Sequence, residues 1–340
     1  MKNIEEVKFV VSLTTYGKRI KTVSETINTL INQTIKPIKI ILWLDEMEFT
    51  SDTIPDDLKK LISNAFEVKF CTNLRSYKKL VPTLSLYPDT TIITVDDDFK
   101  YPKNLFSELL AQHVLYPNHI VAGRGRVINI QDEEIQSYSS WKRISLTQPV
   151  IAKHAILPIG YSGVLYPAGS LHPDVTNSHL FNTLAPYADD LWFKAMAMLN
   201  NTPTIVLASR VMNSLKPIED TQDIGLYNTH NAQDGNTKQM KAISEHYPDI
   251  RAMLNSRNFY TYEYPFNELV DMANAAKVGK HTKDTVHEII RAAISYEKSD
   301  ISMALKLMLL AKKVKPLGPM VVRKVKEYNG KLNADKSGNK

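Results

Sequence analysis

Thr90-Thr91-Ile92-Ile93-Thr94-Val95-Asp96-Asp97-Asp98 is the stretch that decides the fold. An apolar run of strand length, set off by Pro88 and Asp89, reads as a central strand covered on both faces. The three carboxylates at its end put charge where an open α/β sheet binds ligands, at the carboxyl ends of its strands. In an extended chain Asp96 and Asp98 face one side and Asp97 the other. Two hard oxygen donors on one side, with no cation adjacent in sequence until Lys100, suit a divalent ion. An acidic turn capping the next helix is the plainer alternative.

Strand and helix signals alternate on both sides of this run. Val7 to Leu13 is a valine-rich strand. Thr22-Val23-Ser24-Glu25 fits a capping box for a helix carrying Ile27, Leu30 and Ile31 and ending before Pro37. Ile38 to Leu44 is a second strand, and Pro55-Asp56-Asp57 opens a second helix. Val68-Lys69-Phe70 is a short third strand, followed by a helix from Ser76 to Leu86. After the aspartates, Pro102 opens a helix with Leu105, Leu109, Leu110 and Val114. Such alternation predicts a parallel, doubly wound sheet. From about 120 to 215 the pattern loosens into short strands and loops, with a helix over 187–200 and a strand from Thr204 to Ala208. Asn333 to Lys340 is polar and is expected to be disordered.

Composition narrows the function classes. The chain has 340 residues, 43% of them hydrophobic, and a single cysteine, Cys71, so no intrachain disulfide forms and a reducing compartment is expected. Neither a bilayer-spanning apolar run nor a signal-peptide apolar region is present, which predicts a cytoplasmic protein. The net charge of +6 is uneven: residues 277–340 hold 15 Lys/Arg against 6 Asp/Glu, leaving the rest slightly acidic. There Ala304, Leu305, Met308, Leu309 and Ala311, with Lys306, Lys312, Lys313 and Lys315, suit either a packed helix or an interfacial helix on anionic lipid. The lysines are not interleaved with stacking aromatics, so no nucleic-acid partner is expected.

A second acidic pair lies in Ala188-Asp189-Asp190-Leu191-Trp192-Phe193, at a helix start. Taken alone such acids read as caps; beside a metal-diphosphate site, one of them reads as a general base. Arg75-Ser76-Tyr77-Lys78-Lys79 follows a strand and opens a helix, a place that favours phosphate, with a solvated helix face as the alternative. Arg124 and Arg126 alternate, so an extended backbone points both to one side. His230, in a polar loop, could complete a metal shell or lie exposed. There is no Gly-x-x-x-x-Gly-Lys-Ser/Thr loop and no Gly-x-Gly-x-x-Gly after the first strand.

As an ordered set over residues 8 to 250, these motifs resemble the metal-dependent glycosyltransferases of the GT-A fold, and more narrowly the bacterial enzymes of lipopolysaccharide and capsule clusters. The matching stretches are Leu13-Thr14-Thr15-Tyr16-Gly17-Lys18-Arg19, Ile40 to Leu44, Arg75 to Leu80, Val95-Asp96-Asp97-Asp98 as the Asp-x-Asp motif, Gly163-Val164-Leu165-Tyr166-Pro167 and Ala188 to Phe193. The resemblance implies a Rossmann-like doubly wound catalytic domain over 1–250, a basic helical C-terminal extension over 272–332 and a tail over 333–340. It implies Mn²⁺ or Mg²⁺ on Asp98 and Asp96, with His230 as a further ligand. A nucleotide sugar, UDP-linked, would lie on Ser12, Thr14, Tyr16, Arg75, Lys79, Asp96, Asp97 and Gly163. Asp190, or Asp189, would be the base that activates a saccharide or lipid-linked acceptor, with inversion at the anomeric carbon. Lipid-linked acceptors would add a peripheral contact with the membrane's inner face. Gly160 to Gly163 would let a sugar approach the backbone. A nucleotidyltransferase that makes nucleotide sugars is the main alternative, and a non-enzymatic helical adaptor a more distant one.

Overall fold

Val10, Val11, Ser12 and Leu13 alternate between two dry faces, and that alternation sets the layers of the protein. Phe9, Val11 and Leu13 of β1 (Phe9–Thr14) belong to a large core with Ile27 and Leu30 of α1 (Val23–Ile31) and Leu105 and Leu109 of α4 (Leu105–Leu115). Val10 faces the other way and joins Ile41 and Trp43 of β2 (Lys39–Asp45). Both faces are covered, as a parallel sheet requires. The computed structural model describes residues 4–144, 155–207, 210–221, 234–255, 269–270, 273–274, 286, 289–290, 292–294, 296–297 and 300–337.

Seven strands form the main sheet. After β1 and β2 come β3 (Phe66–Cys71), β4 (Thr91–Thr94), β5 (Ile120–Ala122), β6 (Val164–Tyr166) and β7 (Thr204–Val206), in spatial order β7-β5-β6-β4-β1-β2-β3. Strands β3, β2, β1 and β4 run parallel, with Ser12 opposite Thr94, while β6 is antiparallel to both β4 and β5. The mixed α/β, doubly wound architecture expected from the alternation is therefore present. The chain steps outward from β1 through β2 to β3, then crosses to the other side of β1 as β4. The switch point between β1 and β4 opens a crevice at their carboxyl ends.

Several local expectations are corrected. Strand β4 ends at Thr94, so the aspartates lie beyond the strand, where side chains no longer alternate. The capping box is not made: the Thr22 hydroxyl donates to the Arg19 carbonyl (3.2 Å), and Glu25 pairs with Lys100 (2.6 Å). The segment after β3 is a 3₁₀ turn over Arg75–Lys79 followed by a short α3 (Val81–Leu86), with Pro82 in the first turn, where its missing N–H costs nothing. Short α2 (Asp56–Lys59) and α6 (Asp189–Leu199) follow the sequence signals, whereas α5 (Ser178–Leu184), α7 (Gly235–His246) and α8 (Pro248–Asn255) lie where the sequence was read as loop or given no helix.

The chain divides into two compact units, the first holding the described residues up to 255 and the second those from 269 onward. In the second, α9 (Ile301–Val314) is capped by Asp300, whose carboxylate accepts the Met303 N–H (2.9 Å). Ala304, Leu307, Met308 and Ala311 pack with Val321, Val325 and Tyr328 of α10 (Pro319–Ser337). The expected apolar stripe is thus largely consumed inside this unit. Helix α10 runs to Ser337, past the Asn333 at which the composition suggests a tail. No helix among the described residues is long and apolar enough to cross a membrane.

Candidate active site

Asp96, Asp97 and Asp98 all line a cleft of about 870 Å³ at the carboxyl ends of β1 and β4, and Asp189 and Asp190 line it too. The two acidic constellations, distant in sequence, share one cavity. Neither Asp189 nor Asp190 is spent capping α6: Ala188 occupies the N-cap and no side chain caps the helix.

What joins the two constellations is Lys79. Its ammonium lies 3.0 Å from Asp96 Oδ1, 2.8 Å from Asp189 Oδ2 and 3.7 Å from Asp190 Oδ1. Burial opposes its charge, but Asp189, Asp96 and Asp190 together outweigh burial and hold the ammonium charged well above the ordinary lysine range. Lys79 was expected as a phosphate ligand on a helix start. The 3₁₀ turn instead points it inward, where three carboxylates occupy it.

A second cation organises the other two aspartates. Arg19, in the 3₁₀ turn Gly17–Lys21 after β1, reaches Asp97 Oδ1 and Asp98 Oδ2, each at 3.0 Å, and donates from Nε (3.1 Å) and Nη2 (2.8 Å) to the Thr221 carbonyl. The Thr15 hydroxyl also donates to Asp97. Burial raises the Asp97 carboxyl above its usual range, against the pull of Arg19 and Thr15. The division of the triplet therefore differs from strand alternation: Asp97 and Asp98 share Arg19, while Asp96 turns to Lys79. Arg19 is a site residue that sequence reading missed. Its signal was a basic residue just past the first strand's end, and its pairing became visible only when β1 and β4 lay side by side.

The surroundings of Asp190 raise its carboxyl's affinity for a proton. Burial at the cleft floor, with Asp189 and Asp96 nearby, pushes its carboxyl up to about 7, against the opposing pull of Lys79 and of the Gly160 N–H. That N–H donates to Asp190 Oδ2 at 2.9 Å, and 28% of the side chain stays open to the cleft. A Cβ on Gly160 would fall 2.7 Å from both Asp190 Oδ1 and Lys79 Nζ. The missing side chain at 160 thus makes room for the ion-pair network, where the glycine-bearing segment was expected to admit a sugar.

Other expected site residues divide in two. Thr14, Tyr16 and Arg75 line the cleft. Arg75 holds a positive φ of 53°, donates to the Pro186 carbonyl (3.2 Å) and stacks its guanidinium over Tyr187. Ser12 and Gly163 do not line it. Ser12 sits inside β1, its hydroxyl 2.7 Å from that of Thr83 in α3, because strand alternation turns it to the covered face. Gly163, at φ 82°, packs against Leu105, so its glycine is needed for the turn into β6. His230 lies outside the described residues. Arg124 and Arg126 both line the cleft, as their alternation suggested, and Lys78 joins them. Tyr101 was missed: its hydroxyl accepts the Asp96 N–H (2.9 Å) and lies 3.0 Å from the Tyr161 carbonyl, fixing the first aspartate's backbone.

Among the described residues no group of three or more His, Cys, Asp or Glu side chains is arranged to hold an ion. Asp96 and Asp98 nevertheless present hard oxygens to one cleft, and Mg²⁺ typically takes one or two carboxylates and completes its shell with water and substrate phosphate. Two carboxylates meet that requirement in number, with Lys79 on one oxygen of Asp96 and Arg19 on one oxygen of Asp98 in this structure.

No family model matches the chain, and no curated protein matches it. Among solved structures, residues 1–349 of S. aureus TarS in complex with UDP are 13% identical, covering 97% of this chain and 92% of that chain at a TM-score of 0.45. UTP-bound UGPase from Acinetobacter baumannii is 9% identical, covering 71% of this chain and 93% of that one at a TM-score of 0.37. A 4-diphosphocytidyl-2C-methyl-D-erythritol synthase gives 10% identity, 66% and 98% coverage and a TM-score of 0.37. Scores at this level assign no family.

Proposed function

We propose that this chain is a metal-dependent, inverting glycosyltransferase that moves a sugar from a UDP-linked nucleotide sugar to a saccharide or lipid-linked acceptor of a surface polysaccharide. The observation that carries the reading is the meeting of Asp96 and Asp98 with Asp189 and Asp190 in one cleft, with Asp190 held near 7. A base poised there is matched to abstracting a hydroxyl proton near neutral pH.

The reaction follows from these groups. Asp190 accepts the proton of the acceptor hydroxyl. The acceptor oxygen forms its bond to the anomeric carbon as the bond from that carbon to the diphosphate oxygen breaks, and the electron pair leaves on the diphosphate. Attack opposite the leaving group inverts the centre. Asp96 and Asp98 would hold Mn²⁺ or Mg²⁺, which when bound offsets charge on the departing diphosphate. Arg124, Arg126 and Lys78, on the same cleft, add positive potential for an anionic donor.

A thermal-shift screen of nucleotide sugars, each with and without Mn²⁺, tests this reading. Stabilisation by one donor that requires the metal is the expected result, lost in Asp98→Ala. A panel in which nothing stabilises the chain and no donor is hydrolysed overturns it. Pyrophosphate release from a nucleoside triphosphate would replace glycosyl transfer with nucleotidyl transfer.

A further inference from the structure

The second unit carries a surface that its own core does not explain. Between Ile301 and Lys326 the sequence holds no Asp or Glu, while Lys312, Lys313, Lys315, Arg323 and Lys326 are all exposed. The turn joining α9 to α10 closes tightly: the Gly318 N–H donates to the Lys315 carbonyl (3.2 Å) and the Val322 N–H to the Gly318 carbonyl (3.0 Å). With Gly318 turned inward, Leu317 projects with 89% of its surface exposed, and Met320 (46%) and Val322 (44%) follow on the first turns of α10. An apolar tip ringed by cations of one sign is the result.

We propose that this hairpin tip docks on an anionic lipid bilayer, with Leu317 and Met320 entering the headgroup boundary and the lysines facing lipid phosphates. Charge complementarity points to an anionic partner, and the aliphatic tip separates the possibilities. Aliphatic side chains gain by leaving water for acyl chains, whereas a nucleic-acid surface would offer bases aromatic rings to stack on, and the tip has none. Pro316 and Pro319 stiffen the turn on either side of Leu317, so little order remains to be imposed on docking. The site also differs from the stripe suggested by sequence periodicity. Ala304, Met308 and Ala311 of that stripe are buried against α10 while Leu309 stays 41% exposed, so the connecting turn, with Leu317 at 89%, is the more outward apolar element. The proposal stands apart from the glycosyl-transfer reading, since it concerns no residue of the cleft.

Co-sedimentation of the full chain with vesicles tests it. Vesicles containing about one-third phosphatidylglycerol should bind the chain, vesicles of phosphatidylcholine alone should not, and added salt should weaken binding. Leu317→Gln should weaken binding at least about tenfold. Lys312→Gln with Lys313→Gln should weaken it about fivefold per charge. All three positions are exposed, and each variant is to be checked for circular dichroism and melting matched to the parent chain. Equal binding to both vesicle types, undiminished binding by both variants, or release of the chain from vesicles by single-stranded RNA would each overturn the proposal.

Discussion

Replacing Lys79 by Met would separate the two halves of the site electrostatically. Methionine keeps much of the stem's bulk and removes the charge that lies 3.7 Å from Asp190 Oδ1 and 2.8 Å from Asp189 Oδ2. Two unit charges about 4 Å apart interact by roughly 4 kcal/mol at an effective dielectric of about 20. Because 28% of the Asp190 side chain is open to the cleft, about half of that is the usable share. Some 2 kcal/mol corresponds to about 1.5 pH units, so the Asp190 carboxyl, near 7, and the acid limb it would set as the proposed base should move to about 8.5. At about pH 7.5 the ionised fraction of the base then falls roughly eightfold, and turnover with it. The same change leaves buried carboxylates without their cation, which costs about 3–5 kcal/mol and should lower Tm by about 10 °C. Two assays apply: donor turnover against pH, and a carboxyl-carbon NMR titration of Asp190 that needs no substrate. An Asp190 titration and a melting temperature unchanged in Lys79→Met would refute the claim that Lys79 couples the two acidic clusters.

Three other variants test separate parts of the structure. The Asp190 carboxyl is raised from 3.8 to about 7, so across that window the unfolded chain has lost a proton the folded chain keeps, and stability falls as pH rises. Asp190→Asn should therefore melt higher than the parent above pH 7 while losing turnover; a lower Tm there would contradict the sign. Gly160→Ala places a methyl 2.7 Å from Asp190 Oδ1 and Lys79 Nζ, and should reduce turnover at least about tenfold with the sheet intact by circular dichroism. Lys194 is buried in α6 with its amine 3.2 Å from the Thr204 hydroxyl, and burial brings it from 10.5 down to about 7. Between those values the unfolded chain binds a proton the folded chain does not, so stability rises with pH. Lys194→Met should flatten that rise and stabilise the protein by about 1–4 kcal/mol near neutral pH, as read by denaturant melts.

Much of the site was legible because its members are typed by local chemistry. Aspartates past an apolar run, and a second acidic pair opening a helix, announce themselves without coordinates. Their partners do not. Arg19 contacts an aspartate 78 positions away, and nothing within its own turn marks it as a carboxylate clamp. Ser12 and Gly163 were misplaced for a related reason: motif position indicated the cleft, while strand alternation at Ser12 and a positive-φ turn at Gly163 directed both into packing.

By itself the sequence determined the alternation of strands and helices, the apolar run that becomes β4, the two acidic clusters and the concentration of basic charge near the C-terminus. Each is a short-range pattern, carried by periodicity and by neighbouring residues. Only the tertiary structure decided that Lys79 joins the clusters, that the aspartate triplet divides between two cations, and that a side chain at Gly160 would collide with an ion pair. The physical reason is the same in each case. Charge pairing acts over a few ångströms of space, and adjacent parallel strands bring together residues that the chain holds far apart.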